Sequence, residues 1–156
     1  MRIGHGYDVH RTAPGRRLVL CGVGIDCEFG LLAHSDGDVA LHALTDALLG
    51  AAGLPDIGRI FPDTDDAWKD ADSRDILRRA VAMVREKGFE PEYADVTVVA
   101  ERPKLSSYID LMREETARAM DIDPSRVNVK ATTEEKLGFT GCGDGIAAHA
   151  VCLLRE

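Results

Sequence analysis

Asp8 and His10 stand one residue apart near the start of the chain, and His34-Ser35-Asp36-Gly37-Asp38 runs on to His42. One carboxylate and two imidazoles are enough to hold a catalytic zinc with one coordination position left open. Arg2 to His10 reads as a strand, in which side chains at i and i+2 share a face, so Asp8 and His10 can reach one ion. His42 belongs to a helix whose N-terminal half would have to pack across that strand. Asp38, His42 and Asp46 step by four residues along one helix face, and the two aspartates are expected to support the histidine. Against this stand two plainer readings: a salt-bridged surface pair at Asp8 and His10, and a solvated polar stripe around His42.

The elements that must position these residues follow from periodicity. Residues 2–10 and 17–25, parted by Pro14-Gly15, predict two strands and a turn. Residues 38–51 predict a helix with Val39, Leu41, Leu44, Ala47, Leu48 and Ala51 as its apolar stripe, ended by Gly53 and Pro55. Residues 54–72 carry Pro55, Gly58, Pro62 and many aspartates, which predicts a long loop of the kind that often serves function. A second helix is expected from about Ser73 to Lys87, capped by Asp72 or Ser73 and stopped by Gly88. A buried strand over 93–100 follows, then a third helix over 105–120 with Leu105, Ile109, Met112 and Met120 inward, then strands over 126–132 and 146–154.

Those last two strands are parted by a polar, glycine-bearing loop over 132–141. The final strand is almost wholly apolar, so it needs cover on both faces. Helices can supply one cover. The other asks for a partner sheet, and hence for a homo-oligomer.

With 156 residues and 45% apolar content, the chain is expected to form one domain, 1–156, with a proper core. No apolar run would span a bilayer, and no signal-like stretch follows Met1, so the expected address is cytoplasmic with no membrane partner. A net charge of −8 argues against nucleic acid as a partner. Cys21, Cys27, Cys142 and Cys152 form no Cys-x-x-Cys pair and are expected to be reduced, mostly core-filling thiols. Aspartates crowd residues 36–75; if that region binds an anion, divalent metals must bridge the like charges.

Six ordered segments then converge. Gly6-Tyr7-Asp8-Val9-His10, His34-Ser35-Asp36-Gly37-Asp38 with His42, and Asp56-Ile57-Gly58 with Phe61-Pro62-Asp63-Thr64-Asp65 are followed by three more. These are Pro103-Lys104, Lys130-Ala131-Thr132-Thr133, and Glu135-Lys136-Leu137-Gly138-Phe139-Thr140-Gly141. On these residues the chain resembles the 2-C-methyl-D-erythritol 2,4-cyclodiphosphate synthase family of non-mevalonate isoprenoid synthesis over its whole length.

The resemblance implies an α+β subunit with a mixed sheet and helices packed on one face, the sheets facing the three-fold axis of a homotrimer. It implies zinc on Asp8, His10 and His42, with the fourth position taken by a substrate β-phosphate oxygen. His34 and Ser35 would contact the methylerythritol phosphate end, and His34 with Thr133 would place the reacting groups. Asp56, Ile57 and Gly58 would lie near the ribose, with Phe61, Pro62, Asp63, Thr64 and Asp65 in a mobile flap. The adjoining subunit would supply a cytidine pocket from Ala100, Glu101, Arg102, Pro103, Lys104, Leu105 and Ser106 together with Ala131, Thr132 and Thr133. Its Glu135 would hold magnesium or manganese across the α- and β-phosphates, with Glu134 and Phe139 close by. The implied reaction closes 4-diphosphocytidyl-2-C-methyl-D-erythritol 2-phosphate into a cyclic diphosphate and expels CMP, a metal-dependent phosphorus–oxygen lyase step.

Two positions depart from the family's usual pattern. Cys142 stands where arginine is common, which weighs against an isoprenoid diphosphate in a central cavity, and Glu134 stands where threonine is frequent. His149, in the middle of the last strand, reads as a packed or interface histidine. Two other functions fit the same residues: a zinc-dependent phosphohydrolase using water, and a non-catalytic binder of nucleotide or isoprenoid phosphates.

Overall fold

The computed structural model describes residues 1–156. Strand β1 (Arg2–Pro14) pairs antiparallel with β7 (Gly145–Arg155), from Arg2 opposite Leu154 to Arg11 opposite Gly145. On the other side of β7 lies β5 (Glu90–Val99), antiparallel to it and parallel to β6 (Val127–Thr132). Strand β4 (Phe29–Leu31) closes the far edge, giving the mixed order β4-β1-β7-β5-β6. A separate hairpin joins β2 (Leu18–Leu20) to β3 (Val23–Ile25).

Three helices, α1 (Val39–Ala51), α3 (Ser73–Glu86) and α4 (Ile109–Met120), form the layer around one continuous core. The sheet's alternation decides its two faces. Ala94, Val96 and Val98 on β5 and Ala148, Ala150, Cys152 and Leu154 on β7 are buried in that core. Ile3, His5, Tyr7 and Val9 on β1, with His149 and Val151 on β7, face the open side and are exposed. So the expected cover exists on one face only within the chain. No helix is long and apolar enough to cross a membrane.

Helix α1 packs closest, against β1 and β7. Gly4 and Gly6 make this possible: a β-carbon at Gly4 would lie 1.9 Å from the Ala47 carbonyl oxygen. The expected apolar stripe proves too narrow, since every α1 residue except Asp46 and Gly50 is buried. The helix is enclosed between the sheet, α3 and the hairpin rather than laid on a surface.

Several boundaries differ from expectation. Residues 17–25 are two short strands, because Cys21 (φ 51°) and Gly22 (φ 76°) turn the chain back at their centre. That turn is held by Asp38, whose carboxylate accepts from the Cys21 and Gly22 amides at 2.9 and 2.6 Å, a partner no local reading reveals. The strand expected from 93 begins at Glu90, with an irregularity between Pro91 and Tyr93. The third helix begins at Ile109 rather than 105, residues 105–108 forming a turn over the buried Leu105. The loops also carry structure: α2 (Ile57–Ile60) and a 3-10 turn (Asp66–Trp68) in the first, α5 (Gly138–Gly141) in the second.

Candidate active site

Beyond Gly4 and Gly6, the next two helix-facing positions of β1 are Asp8 and His10, and the first turn of α1 sets His42 above them. His10 Nε2 lies 3.0 Å from Asp8 Oδ2, His42 Nδ1 lies 3.2 Å from the same oxygen, and the two nitrogens are 3.0 Å apart. Three donors on one tetrahedral zinc at about 2.0–2.1 Å would be separated by about 3.3 Å, so this near-equilateral triangle is the right size for one ion. Asp8 engages by one oxygen, because Oδ1 accepts from the Val9 amide at 2.8 Å. Burial alone would raise the Asp8 carboxyl, but the two histidines beside it, His10 and His42, outweigh it and hold the group well below the usual carboxylate range. The donor set is that of a group able to hold a metal ion.

The support for His42 differs from expectation. Asp38 does not reach its ring: its carboxylate caps α1 through the Leu41 amide and ties down the Cys21–Gly22 turn. Burial pushes that carboxyl up to about 6, with the neighbouring Asp36 charge adding to the effect against the opposing amide donors. Asp46 instead accepts from the Ile57 amide at 3.0 Å, anchoring the start of α2. Two serines take their place: His42 Nε2 lies 2.9 Å from Ser73 Oγ and 3.1 Å from Ser35 Oγ. Residues four apart on a helix share a face, but the N-cap side chain folds back onto its own backbone, and that competition removes Asp38 from His42.

A cavity of about 460 Å³ opens over the triangle. His34, Ser35, Ile57, Gly58, Phe61 and Asp63 line it with the three donors. A second cavity of about 550 Å³ lies where β5 and β6 end, between Ala100–Ser106 and Lys130–Thr133. The two share no lining residue.

Comparison with known proteins decides the family. The YgbB family model matches residues 1–155. The chain is 58% identical to the 2-C-methyl-D-erythritol 2,4-cyclodiphosphate synthase of Geobacter sulfurreducens, over all of this chain and 99% of that one. It belongs to the YgbB family, that of the 2-C-methyl-D-erythritol 2,4-cyclodiphosphate synthases. A CDP-bound structure of such a synthase superposes with a TM-score of 0.91 at 42% identity, over 99% of this chain and 100% of that one. A bifunctional IspDF from Campylobacter jejuni superposes with a TM-score of 0.94 at 49% identity, over 98% of this chain; this chain spans 42% of that one.

Within this YgbB-family chain the predicted residues separate into two groups. Asp8, His10, His34, Ser35, His42, Ile57, Gly58, Phe61 and Asp63 meet at the first cavity. Asp56 instead caps α2 through the Arg59 amide, and Asp65 caps the following 3-10 turn through Ala67. Pro62 and Thr64 lie in the same loop without lining the cavity. The aromatic wall was half missed. Trp68 stands edge-on to Phe61 with ring centroids 5.0 Å apart, and only its place in the aspartate-rich loop could have pointed to it.

At the second cavity, Ala100, Glu101, Pro103, Lys104, Leu105, Ser106, Ala131, Thr132 and Thr133 come together as expected. Ile109, Val129 and Lys130 join them unpredicted. Arg102 turns away, pairing with Glu28 and covering the Phe29 ring. Thr133 Oγ1 donates to Glu135 Oε1 at 3.1 Å, so these two share one corner. Thr133 and His34 therefore sit at different cavities of the same chain. Glu134 accepts from the Thr140 hydroxyl, while Phe139 and Cys142 are exposed around α5. His149 meets His5, Nδ1 to Nε2 at 3.2 Å, on the open face.

Proposed function

We propose that this protein closes 4-diphosphocytidyl-2-C-methyl-D-erythritol 2-phosphate into 2-C-methyl-D-erythritol 2,4-cyclodiphosphate and releases CMP, as a cytoplasmic phosphorus–oxygen lyase of isoprenoid synthesis. The Asp8–His10–His42 triangle on the wall of a substrate-sized cavity carries this reading, and whole-length identity to named synthases supports it. An oxygen of the substrate's 2-phosphate forms a bond to the β-phosphorus, and the bond from that phosphorus to the CMP oxygen breaks. The electron pair of the broken bond leaves with CMP. Nucleophile and leaving group both belong to the substrate, so the protein's task is placement and charge balance.

The residues divide that task. Zinc on the triangle and magnesium or manganese at Glu135 would, when bound, supply Lewis-acid neutralisation of the phosphates. His34 and Ser35 stand beside the triangle with an imidazole and a hydroxyl for the methylerythritol phosphate end. Phe61 and Trp68 wall the cavity with apolar surface that keeps water from competing at phosphorus. The second cavity offers an apolar bed at Ala100, Pro103, Leu105 and Ala131 for a flat base, with the Thr132 and Thr133 hydroxyls at one end.

The enzyme works as a homotrimer with its open sheet faces around the three-fold axis. Ile3 (71% exposed), Tyr7, Val9, Tyr93 and Val151 give that face an apolar character a lone chain would leave wet. A complete active site then joins the first cavity of one protomer to the second cavity of its neighbour, a reading that two disjoint cavities support.

Phosphorus NMR on the cytidine diphosphate substrate tests the proposal. Cyclic diphosphate and CMP are expected in equal amounts. A linear phosphate product would replace the reading with hydrolysis, and tight binding without turnover would replace it with a carrier.

A further inference from the structure

We infer that Ser73 and Asp36 form a hydrogen-bond relay that fixes which nitrogen of His42 carries the proton, making Ser73 a positioning residue for the metal site. The inference rests on the reading that the triangle holds a metal. A neutral imidazole carries one N–H, and only its bare nitrogen can ligate. His42 Nδ1 faces Asp8 and His10, so the proton must be kept at Nε2.

The surroundings of Nε2 settle its state. Ser73 Oγ lies 2.9 Å from it and is fully buried. The same hydroxyl lies 2.5 Å from Asp36 Oδ1, and a carboxylate only accepts, so the Ser73 proton is committed to Asp36. What Ser73 presents to His42 is a lone pair, which requires an N–H at Nε2 and leaves Nδ1 bare toward Asp8 and His10. Ser35 Oγ, 3.1 Å from the same nitrogen, accepts from the Gly37 amide at 3.3 Å. With a proton already on Nε2, the Ser35 hydroxyl does not donate to that nitrogen, and its own proton is free to point into the cavity.

Asp36 is itself immobilised. Oδ2 accepts from the Ser73 amide at 3.1 Å, and Oδ1 also accepts from the Asp38 amide at 3.1 Å. Its backbone amide donates to the Ala71 carbonyl, and the Asp70 amide donates to the His34 carbonyl, stitching residues 34–36 to residues 70–73. Ser73 opens α3 directly after the aspartate-rich loop, and Asp72, not Ser73, caps that helix. The Ser73 hydroxyl is thus not spent on capping. Its partners are Asp36 and His42; Asp8 Oδ2, the competing acceptor 3.2 Å from Nδ1, has His10 Nε2 as a donor at 3.0 Å, so the tautomer is set before any ion arrives.

The decisive measurement is nitrogen-15 NMR of the histidine rings in metal-free, unaltered protein near pH 8. His42 is expected as the Nε2–H tautomer, and an Nδ1–H tautomer would overturn the relay. Zinc affinity by chelator competition gives a second readout on purified variants. Ser73→Ala should weaken zinc binding by about 10- to 100-fold, as loss of a ligand's supporting hydrogen bond does elsewhere, while Ser73→Thr should recover most of it. Asp36→Asn should behave like Ser73→Ala, because an amide able to donate lets the Ser73 hydroxyl turn toward His42. Unchanged affinity in Ser73→Ala would overturn the proposal. An unaltered protein with the Nε2–H tautomer but no zinc at the triangle would sink the metal reading and leave the hydrogen-bond relay standing.

Discussion

Gly6 on β1 lies so close beneath Ala43 of α1 that a β-carbon there would sit 1.9 Å from the Ala43 carbonyl oxygen. Ala43 follows His42 directly, so this contact sets the height of His42 above the strand that carries Asp8 and His10. Gly6→Ala should lift the helix, destabilise the protein by about 1–3 kcal/mol and weaken zinc binding. Gly50, exposed in the last turn of the same helix with nothing near its missing side chain, provides the control. Gly50→Ala should stabilise by about 0.5–1 kcal/mol and leave zinc affinity unchanged. Denaturant melts with zinc titrations check both; equal behaviour of the two variants would refute the role given to Gly6.

Removing a ligand should separate folding from function. His42→Ala leaves the apolar surroundings of α1 in place, so a folded protein is expected. Its activity should fall by more than the roughly 10–100-fold that loss of a supporting partner costs. Elemental analysis should fall from about one zinc per chain to almost none. A fully active, zinc-free His42→Ala protein would refute the ligand assignment.

Two carboxylates should leave opposite marks on the pH dependence of the metal-free protein. Asp8 is depressed when folded, so its contribution is complete above the ordinary value of 3.8 and is lost as pH falls below it toward the folded value. The stability gap between the unaltered protein and Asp8→Asn should be flat above about pH 4 and close below it. Asp38 is raised to about 6, so its folded form is favoured by protonation: the contribution is complete below 3.8 and lost as pH rises through 6. The unaltered protein should gain on Asp38→Asn as pH falls from 7 to 4. Urea melts at stepped pH measure both, and trends of the same sign would contradict the assignment.

Shared sites make a prediction that single variants cannot. His42→Ala disables the first cavity and Glu135→Ala the second. Co-expressed with equal random mixing, a site is intact only where a Glu135→Ala chain supplies the first cavity and a His42→Ala chain the second. That is ½ × ½, or roughly a quarter of sites in a closed ring. If mass spectrometry finds mixed trimers and activity stays at the sum of the two variants alone, the sites are not shared.

Much of this was legible in the chain. The Asp-x-His pair and the helix bearing His42 could be placed from periodicity, because strand and helix spacing alone put those side chains on predictable faces. The identities of the supporting residues could not. Ser73 reaches His42 from thirty-one positions away, and Asp38, which looked like support, was claimed by amides of a hairpin turn that no local pattern joins to it. The close contact of Gly4 and Gly6 with α1 was equally hidden. A glycine in a strand signals close approach by something, but only the three-dimensional packing names Ala43 and Ala47 as the something.

Strand β1 carries two messages in alternate letters. Its even positions, Gly4, Gly6, Asp8 and His10, address the helix and His42, while its odd positions, Ile3, His5, Tyr7 and Val9, address the open face. Inserting a single residue between Gly6 and Asp8 would split the even set, leaving the glycines toward the helix while Asp8 and His10 turned to the open face. Substitutions, by contrast, can edit either message while leaving the other intact. The character of the open face can thus change without disturbing Asp8 and His10, provided that the spelling of this strand never gains or loses a letter.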